Sequence, residues 1–599
     1  MSRFSRALSK HRLALAVKVA CLLGLVVGCA TAPPPESTVE EPAIEEARSA
    51  SDLMRRARGA PEDRAARLYL NAAEEYLAVE DVAGARAAFD LVEPGLLDDA
   101  RLADYRLVSA RLALAEGDPA LASDILSRLP RKALDSPEAA RLKSEVCAAT
   151  GDYPCALSEL VRVAGDDPAE NERIWQWLNA SSTLSAGSGA ARPVSRVLSA
   201  WQDLHHALVT AESLEDAKRR ATAWIAGNPG HPGSVLPPDA VAAIAAYRPA
   251  RFHVGLVVPL SGPLARAGEA VRDGFIATTL LAGAGGRVDL TIYDAAAEPI
   301  PVIYERVLSD RVDLLVGPLQ KDTVVALNEL NPEIPTLVLN YLDHGTRPAP
   351  GLQQVGLAIE DEALTIAARL RADGVHQALL FHNYEDWSLR ARNTLIEKAE
   401  AGGAMQLTVQ PFTDLRTVTE AVGSAMHVAE SQARRDQLAS TLGVPLEFTP
   451  RGREDVDAVV ALIGNSEANA LVPALNFHFA QNLPVYAGSQ VTRGSRQGLN
   501  ELRGFHVSEL PFFLDGDGFH GSMATPLALD RNPFASLVAL GSDAFRLTER
   551  IQLGSALGDL PLLGSSGLLR RLPDGRISRE LAWGTISTRG VVAEAGARL

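Results

Sequence analysis

Two hydrophobic rhythms divide this chain. Between Asp52 and Tyr247 apolar residues recur at helical spacing, with polar turns between the periodic stretches. From Phe252 onward they gather into short runs, at 254–258, 288–293, 312–316, 336–339, 378–381, 456–463 and 485–486. Several of these runs end on a turn or polar residue: Pro259, Asp294, Gly317-Pro318, Asn340. Most are followed by a helical pattern or an irregular loop. Short apolar strands alternating with helices predict parallel sheets covered on both faces. The span is long for one such sheet, so two lobes are expected. The first unit, VGLVVPLSGPLARAGEAVRDG from Val254 to Gly274, reads as strand, tight turn and helix. Its helix start would aim free N–H groups past the strand end, where open α/β sheets bind ligands.

The helical part repeats itself. Asp81-Val82-Ala83-Gly84-Ala85, Gly117-Asp118-Pro119-Ala120-Leu121-Ala122 and Gly151-Asp152-Tyr153-Pro154-Cys155-Ala156 each lead to an apolar residue four positions on. The aligned alanines are 85, 122 and 156. A polar turn, a small residue and an apolar one form a helix-hairpin repeat, and this one resembles the tetratricopeptide type. The usual Trp and Gly of the first helix are missing. No hairpin can bury its face alone, so the hairpins must stack. Cys147 and Cys155 flank one hairpin turn. They are read as a disulfide or as two small buried residues, and an oxidising compartment favours the disulfide.

The N-terminus specifies that compartment. Arg3, Arg6, Lys10 and Arg12 precede a mostly apolar stretch from Leu13 to Val27, interrupted by Lys18. This is a secretory signal, too short for a comfortable membrane span. Val26-Val27-Gly28-Cys29 resembles a lipobox, which implies a signal peptide over 1–28 and lipidation of Cys29. Ala30 rather than Asp follows, which resembles outer-membrane sorting. Residues 29–50 are rich in Pro and Glu and are expected to form an extended tether.

Charge and chemistry narrow the function. The formal net charge is −16, and loss of the signal removes five basic residues and no acid. Nucleic acid is therefore excluded as a partner, since its binding needs clustered Lys and Arg. No metal-ligand cluster or phosphate loop is visible. The adjacent His205 and His206 diverge on a helix, and His478 sits in an apolar helical stretch. Gly464-Asn465-Ser466-Glu467-Ala468 approaches a nucleophile elbow, with histidines following at 478, 506 and 520, but its last position is Ala468. It reads instead as a strand-to-helix turn. Ser261, Lys321, Asn340, Asn383, Ser466 and Ser489 all follow predicted strands and are candidates to line a cleft between the lobes.

The segments VGLVVPLSGPLARAGEAVRDGF, DLLVGPL and IPTLVLN, in that order, resemble a type I periplasmic solute-binding fold. VGPLQK, LAIEDEA, SQARRDQLASTLGVPLEFTPRGREDVDAV, LPVYAGS and LGSDAF, with AWIAGNPGHPGS in the helical half, resemble the LpoA family of penicillin-binding protein activators. The resemblance covers nearly all of the mature chain. It implies a multidomain architecture, with an all-α TPR-like domain over 51–249 and an α/β, two-lobed, periplasmic-binding-protein-like domain over 250–599. Lobe 1 is expected over 252–357 and 490–599, and lobe 2 over 358–489. The implied function is that of a non-enzymatic outer-membrane lipoprotein facing the periplasm. It would bind and activate a class A penicillin-binding protein, stimulating peptidoglycan synthesis and cross-linking, without cofactor or metal. The alternative is a lipid-anchored periplasmic receptor for amino acids or peptides. Against it, receptors of this fold usually carry Ser or Thr soon after VGP, whereas here Leu319-Gln320-Lys321-Asp322 follows. Lys321 is left to hold another anion, or to pair with an acid across a closed cleft. The segment from Ser431 to Asp457 reads as an addition to lobe 2, and its Arg434, Arg435, Arg451 and Arg453 form a candidate partner surface. Cys29→Ala is expected to abolish incorporation of labelled fatty acid; retained label would remove the lipobox reading.

Overall fold

The computed structural model describes residues 41–594 except 166, 185–194, 404, 412–414, 445–446, 448–451, 494–495, 515–520, 528 and 530–531. Cys29, the start of the expected tether, Arg451 and His520 lie outside the described residues. No helix among the described residues is long and apolar enough to cross a membrane. The described residues form two compact units that part between Thr150 and Gly151.

The first unit is helical: α1 Glu41–Ala57, α2 Glu62–Ala78, α3 Val82–Phe89, α4 Asp99–Ala115, α5 Pro119–Ser127 and α6 Pro137–Ala149. Helix α1 corrects the tether expected over 29–50, which gives way to helix at Glu41. Arg55 and Arg56 close its last turn, where cations meet the negative end of the helix dipole. Ala50, on the same helix, is fully buried.

The repeat is visible in the backbone. In α3, α5 and α7 (Tyr153–Val163, the first helix of the second unit) the N-cap is the repeated aspartate. Asp81 accepts from Gly84 N–H at 2.9 Å, Asp118 from Leu121 at 2.9 Å and Asp152 from Cys155 at 3.1 Å. The residue before each cap is left-handed: Glu80 at φ 59°, Gly117 at 84° and Gly151 at 80°. Ala85, Ala122 and Ala156 are all fully buried. Cys147 and Cys155 are both disulfide-bonded.

The second unit continues with α8 Pro168–Ser181, α9 Arg196–Val209, α10 Leu214–Gly227 and α11 Asp239–Ala246 before β1 Phe252–Val258 begins the strands. The expected division at 249/250 thus marks a change of secondary structure, while the compact units part at 150/151. The reason is that α7–α11 do not close their own core. Trp175, Trp201, Leu208 and Ile244 share one buried cluster with Leu557, Leu560, Leu568 and Ala582 of the α/β region.

Lobe 1 holds β1, α12 Ala265–Leu281, β2 Val288–Asp294, α13 Ile300–Ser309, β3 Leu314–Val316, α14 Lys321–Glu329, β4 Thr336–Val338 and β5 Leu352–Gln354. Its five strands run parallel in the order β2-β1-β3-β4-β5. Lobe 2 holds α15 Ile359–Ala372, β6 Gln377–His382, α16 Asp386–Gly402, β7 Gln406–Pro411, α17 Val418–Ala425, α18 Val428–Leu442, β8 Ala458–Leu462, α19 Asn465–Phe477, β9 Val485–Ala487 and β10 His506–Glu509. The chain then returns to lobe 1 for α20 Ala535–Ile551 and a small sheet of β11 Leu562–Leu563, β12 Leu568–Arg571 and β13 Ile577–Glu580. It ends in lobe 2 with β14 Ala582–Ser587 and β15 Gly590–Ala593.

The lobe 2 sheet has the order β15-β14-β10-β9-β8-β6-β7. This corrects the expectation that 490–599 belongs wholly to lobe 1. Strand β10 pairs in parallel with β9, and β14 and β15 then add antiparallel neighbours. An unbroken parallel sheet does not extend to this edge.

Helix α20 is the most deeply buried helix of lobe 1, with every residue from Val538 to Glu549 buried. It crosses α12 at two glycines. A Cβ on Gly274 would run into the backbone of Val538, and one on Gly541 into the backbone of Val271. Backbone cannot give way as a flexible side chain can. Gly541→Ala is therefore expected to destabilise the protein by about 3 kcal/mol, seen as a lower urea midpoint at unchanged slope. A change under about 0.5 kcal/mol would mean that the crossing is looser than described.

Candidate functional site

The six candidate cleft residues all follow the strands assigned to them, but most are occupied inside their own lobe. In lobe 1, Ser261 helps hold Asp294, whose carboxylate also accepts from Leu260 N–H at 2.8 Å and Ala296 N–H at 2.9 Å. Burial raises the Asp294 pKa, but these hydrogen bonds outweigh it and leave the carboxyl below its usual value. Lys321 pairs with Asp343 at 2.5 Å. Both residues belong to lobe 1, so the expected ion pair across the cleft is corrected to one within a lobe. Asn340 donates to Leu319 C=O at 3.0 Å and accepts from Tyr341 N–H.

In lobe 2, Ser489 is buried and donates to Glu362 at 2.5 Å, with its N–H adding a second bond at 3.1 Å. Asn383 donates to both carboxylate oxygens of Glu467, at 2.9 and 2.8 Å, and Glu467 also caps Gly464 N–H. This brings Asn383 and the Ser466 turn together. Ser466 itself is exposed near the start of α19. The described histidines have other partners: His478 meets Thr419 C=O at 2.8 Å and His506 meets Glu594 at 2.7 Å. The elbow is an ordinary helix start. Sequence reasoning named the candidates and missed the acids that engage four of them: Asp294 with Ser261, Asp343 with Lys321, Glu467 with Asn383 and Glu362 with Ser489.

Two of the described partner-surface arginines are already paired with nearby acids. Crossover β7–β8 contains two helices. Helix α17 buries Val418, Ala421, Val422 and Ala425, whereas α18 buries only Val428 and Ser431. Arg434 is exposed on α18. Arg435 pairs with its neighbour Asp436 at 2.7 Å. Arg453 folds back onto Asp455 at 2.9 and 2.7 Å and onto Thr408 at 2.9 Å. A single free basic cluster is therefore not formed by the described members.

A denser polar network joins the α7–α11 helices to α20. Arg546 donates to Ala211 C=O at 2.6 Å, and Glu549 accepts from Leu214 N–H at 3.0 Å and from Arg287 at 3.5 Å. Arg550 donates to the carbonyls of Leu560 at 2.8 Å, Pro561 at 3.0 Å and Leu208 at 3.4 Å. From the small sheet, Arg570 donates to the carbonyls of Asn179 and Ser182, while Glu580 accepts from Thr183 and Leu184. His205 sits within it, 3.0 Å from Asn179 Oδ1. Burial, then the Arg570, His206 and Arg550 charges, lower its pKa to about 3 and keep it neutral.

The network reaches lobe 2. Asp543 accepts from the N–H groups of Ser565 at 2.5 Å and Ser566 at 2.8 Å. Ser566 C=O accepts from Arg579 at 3.0 Å, and Arg579 also bonds Asp361 of α15 at 3.1 Å and Ala358 C=O at 3.1 Å. That contact lies where the chain passes between the lobes.

With this geometry established, comparison with known proteins places the chain. The model of the LppC lipoprotein family matches residues 45–587. The chain belongs to the LppC lipoprotein family. A Vibrio cholerae relative named penicillin-binding protein activator LpoA is 25% identical over 536 residues, covering 80% of this chain and 89% of the relative. One of the same name from Photobacterium profundum is 24% identical over 516 residues, covering 83% and 84%. Among solved structures, LpoA of Haemophilus influenzae matches with a TM-score of 0.53 at 19% identity, over 91% of this chain and 97% of that one. The last likeness concerns the fold alone. It spans both the helical and the α/β regions of this family member.

The C-terminal strands of this LppC protein are held by one carboxylate. Glu594 accepts from His506 and Arg369 at 2.7 Å each, and from Thr585 at 2.9 Å. Burial opposes its ionisation, but these donors and the Arg369 charge prevail and hold its pKa at about 2. A depressed carboxylate pKa gives stability that is fully present above the unfolded value and lost as pH falls through the folded one. Glu594→Gln is thus expected to cost about 2 kcal/mol at pH 7, with the gap from the parent protein closing between pH 4.5 and 2. A gap that stays constant on acidification would show that the carboxylate charge is not what holds the strands.

Proposed function

We propose that this chain is an outer-membrane lipoprotein, anchored through Cys29, that binds a class A penicillin-binding protein and activates it. In this reading it stimulates peptidoglycan synthesis and cross-linking and performs no chemistry of its own. The observation that carries the reading is the extent of the likeness to relatives named as activators, which runs through both the helical and the α/β regions. Two features support it. Ser489, Asn383 and Lys321 are engaged with acids of their own lobe, which leaves them poor ligands for a cleft solute. Helix α18 is an extra helix on the lobe 2 crossover, little buried, and Arg434 on it is exposed and is the proposed contact to an acidic partner surface.

An activator without catalytic groups acts by binding the active conformation of its enzyme more tightly than the inactive one. The test is peptide cross-linking by purified synthase on lipid-linked substrate, with and without the unlipidated mature chain or residues 151–599. Stimulation on the order of fivefold is expected, with both forms active. Unchanged cross-linking and no detectable binding by the mature chain would overturn the proposal. Stimulation by the mature chain but not by 151–599 would move the working surface to the first unit.

A further inference from the structure

We propose that a groove on lobe 1, between β5, the loop after α20 and the β12–β13 turn, binds a short peptide by its free C-terminal carboxylate. The groove has a volume of about 450 Å³, inside the ~300–1,000 Å³ range of small-ligand pockets. It is lined by Leu352, Leu572 and Pro573 for apolar contact and by Gln353, Asp559 and Arg571 for polar contact. Asp559 and Arg571 are exposed and Gln353 is half-buried. None of these three side chains has a hydrogen-bond or ion-pair partner among the described residues, although all face the same space. An amide, an acid and a guanidinium that converge without meeting one another match a ligand that carries both charges and a peptide bond.

The floor of the groove strengthens the case. Gln353 and Arg571 also line a smaller cavity of about 50 Å³, and Arg550 lines it with them. Arg550 in turn lines a void of about 10 Å³ beside Arg546, whose buried Nε has no hydrogen-bond partner. The Arg550 guanidinium is met by backbone carbonyls, not by a carboxylate. Gln353 and Arg571 are thus shared by the open groove and by a cavity that holds a second guanidinium, with space of about 50 Å³ for a small anionic group. A carboxylate entering between Arg571 and Arg550 would form charge-assisted bonds in a partly dry setting. Gln353 would meet the first peptide group, and Asp559 would receive the ammonium end. None of the six cleft candidates lines these cavities, and the inference does not rest on the activator reading.

The test is calorimetry on the complete unlipidated mature chain with trialanine, its C-terminal amide and its N-acetyl form. Trialanine is expected to bind saturably, and the amide at least about tenfold more weakly. Arg571→Ala should weaken trialanine by a similar factor while leaving the amide unchanged. Asp559→Ala should weaken trialanine while leaving the N-acetyl form unchanged. Both residues are exposed, and an unaltered unfolding midpoint confirms that each variant folds. The proposal is overturned by absence of saturable binding to the folded parent protein at millimolar peptide. It is equally overturned by trialanine binding that Arg571→Ala leaves intact, or that Lys321→Ala in the cleft abolishes.

Discussion

Helix α20 is the element on which the second unit depends, because it buries charge and apolar surface at once. One face, with Val538, Gly541 and Phe545, packs on α12 at a backbone distance that only glycine permits. The other face carries Asp543, Arg546, Glu549 and Arg550 into the interior. Buried charges are costly unless each is paired and hydrogen-bonded. Burial pushes the pKa of Asp543 and Glu549 up and that of Arg546 down, the direction desolvation demands. The structure offsets the cost with backbone groups rather than with a single ion pair. Carbonyls of Leu208 and Ala211 receive the arginines, and N–H groups of Leu214, Ser565 and Ser566 meet the acids. Such groups lie at the correct distance only if α9 and α10 stay in place. The helices before β1 are therefore part of the α/β body in energetic terms, although their secondary structure differs.

The same contacts give the unit a continuous polar path. It begins at the α9–α10 junction with Arg546, continues by charge attraction to Asp543 on the same helix, and runs through the 565–566 turn and Arg579 to Asp361 in lobe 2. A path of contacts is not by itself evidence of coupling. It does specify where coupling would run if binding to one lobe were felt by the helices. Breaking a buried pair such as Arg579–Asp361 typically costs ~3–5 kcal/mol, so the junction between the lobes is stiff at this point.

Much of the architecture was legible in the sequence. Short apolar runs marked β1, β2, β3, β4, β6, β8 and β9, and the Asp-small-apolar repeat marked the caps of α3, α5 and α7. Strands β5 (LQQ) and β7 (QLTVQP) were not read because they are edge strands, half polar, without an apolar run. The C-terminal strands escaped because several have only two to four residues, too few to show a period. The site was less legible than the fold. Ser489 and Glu362 are 127 positions apart and Asn383 and Glu467 are 84 apart, so no local pattern joins them. The stretch LGSDAFRLTER looks like an amphipathic helix with a wet face. Its charges are nevertheless buried, because the surface that covers them comes from helices more than 300 residues earlier.

The central claim is that α20 binds the α8–α11 helices and lobe 1 into one cooperative body. Native-state hydrogen exchange on the complete unlipidated mature chain, with and without Glu549→Ala, tests it most directly. The substitution leaves the buried Leu214 N–H without its acceptor and removes one of the two carboxylates beside Arg287, a loss on the order of 2 kcal/mol. The account predicts that protection falls together, by more than tenfold, in α20 and at the start of α10. A fall confined to α20, with α10 amides exchanging as in the parent protein, would contradict it.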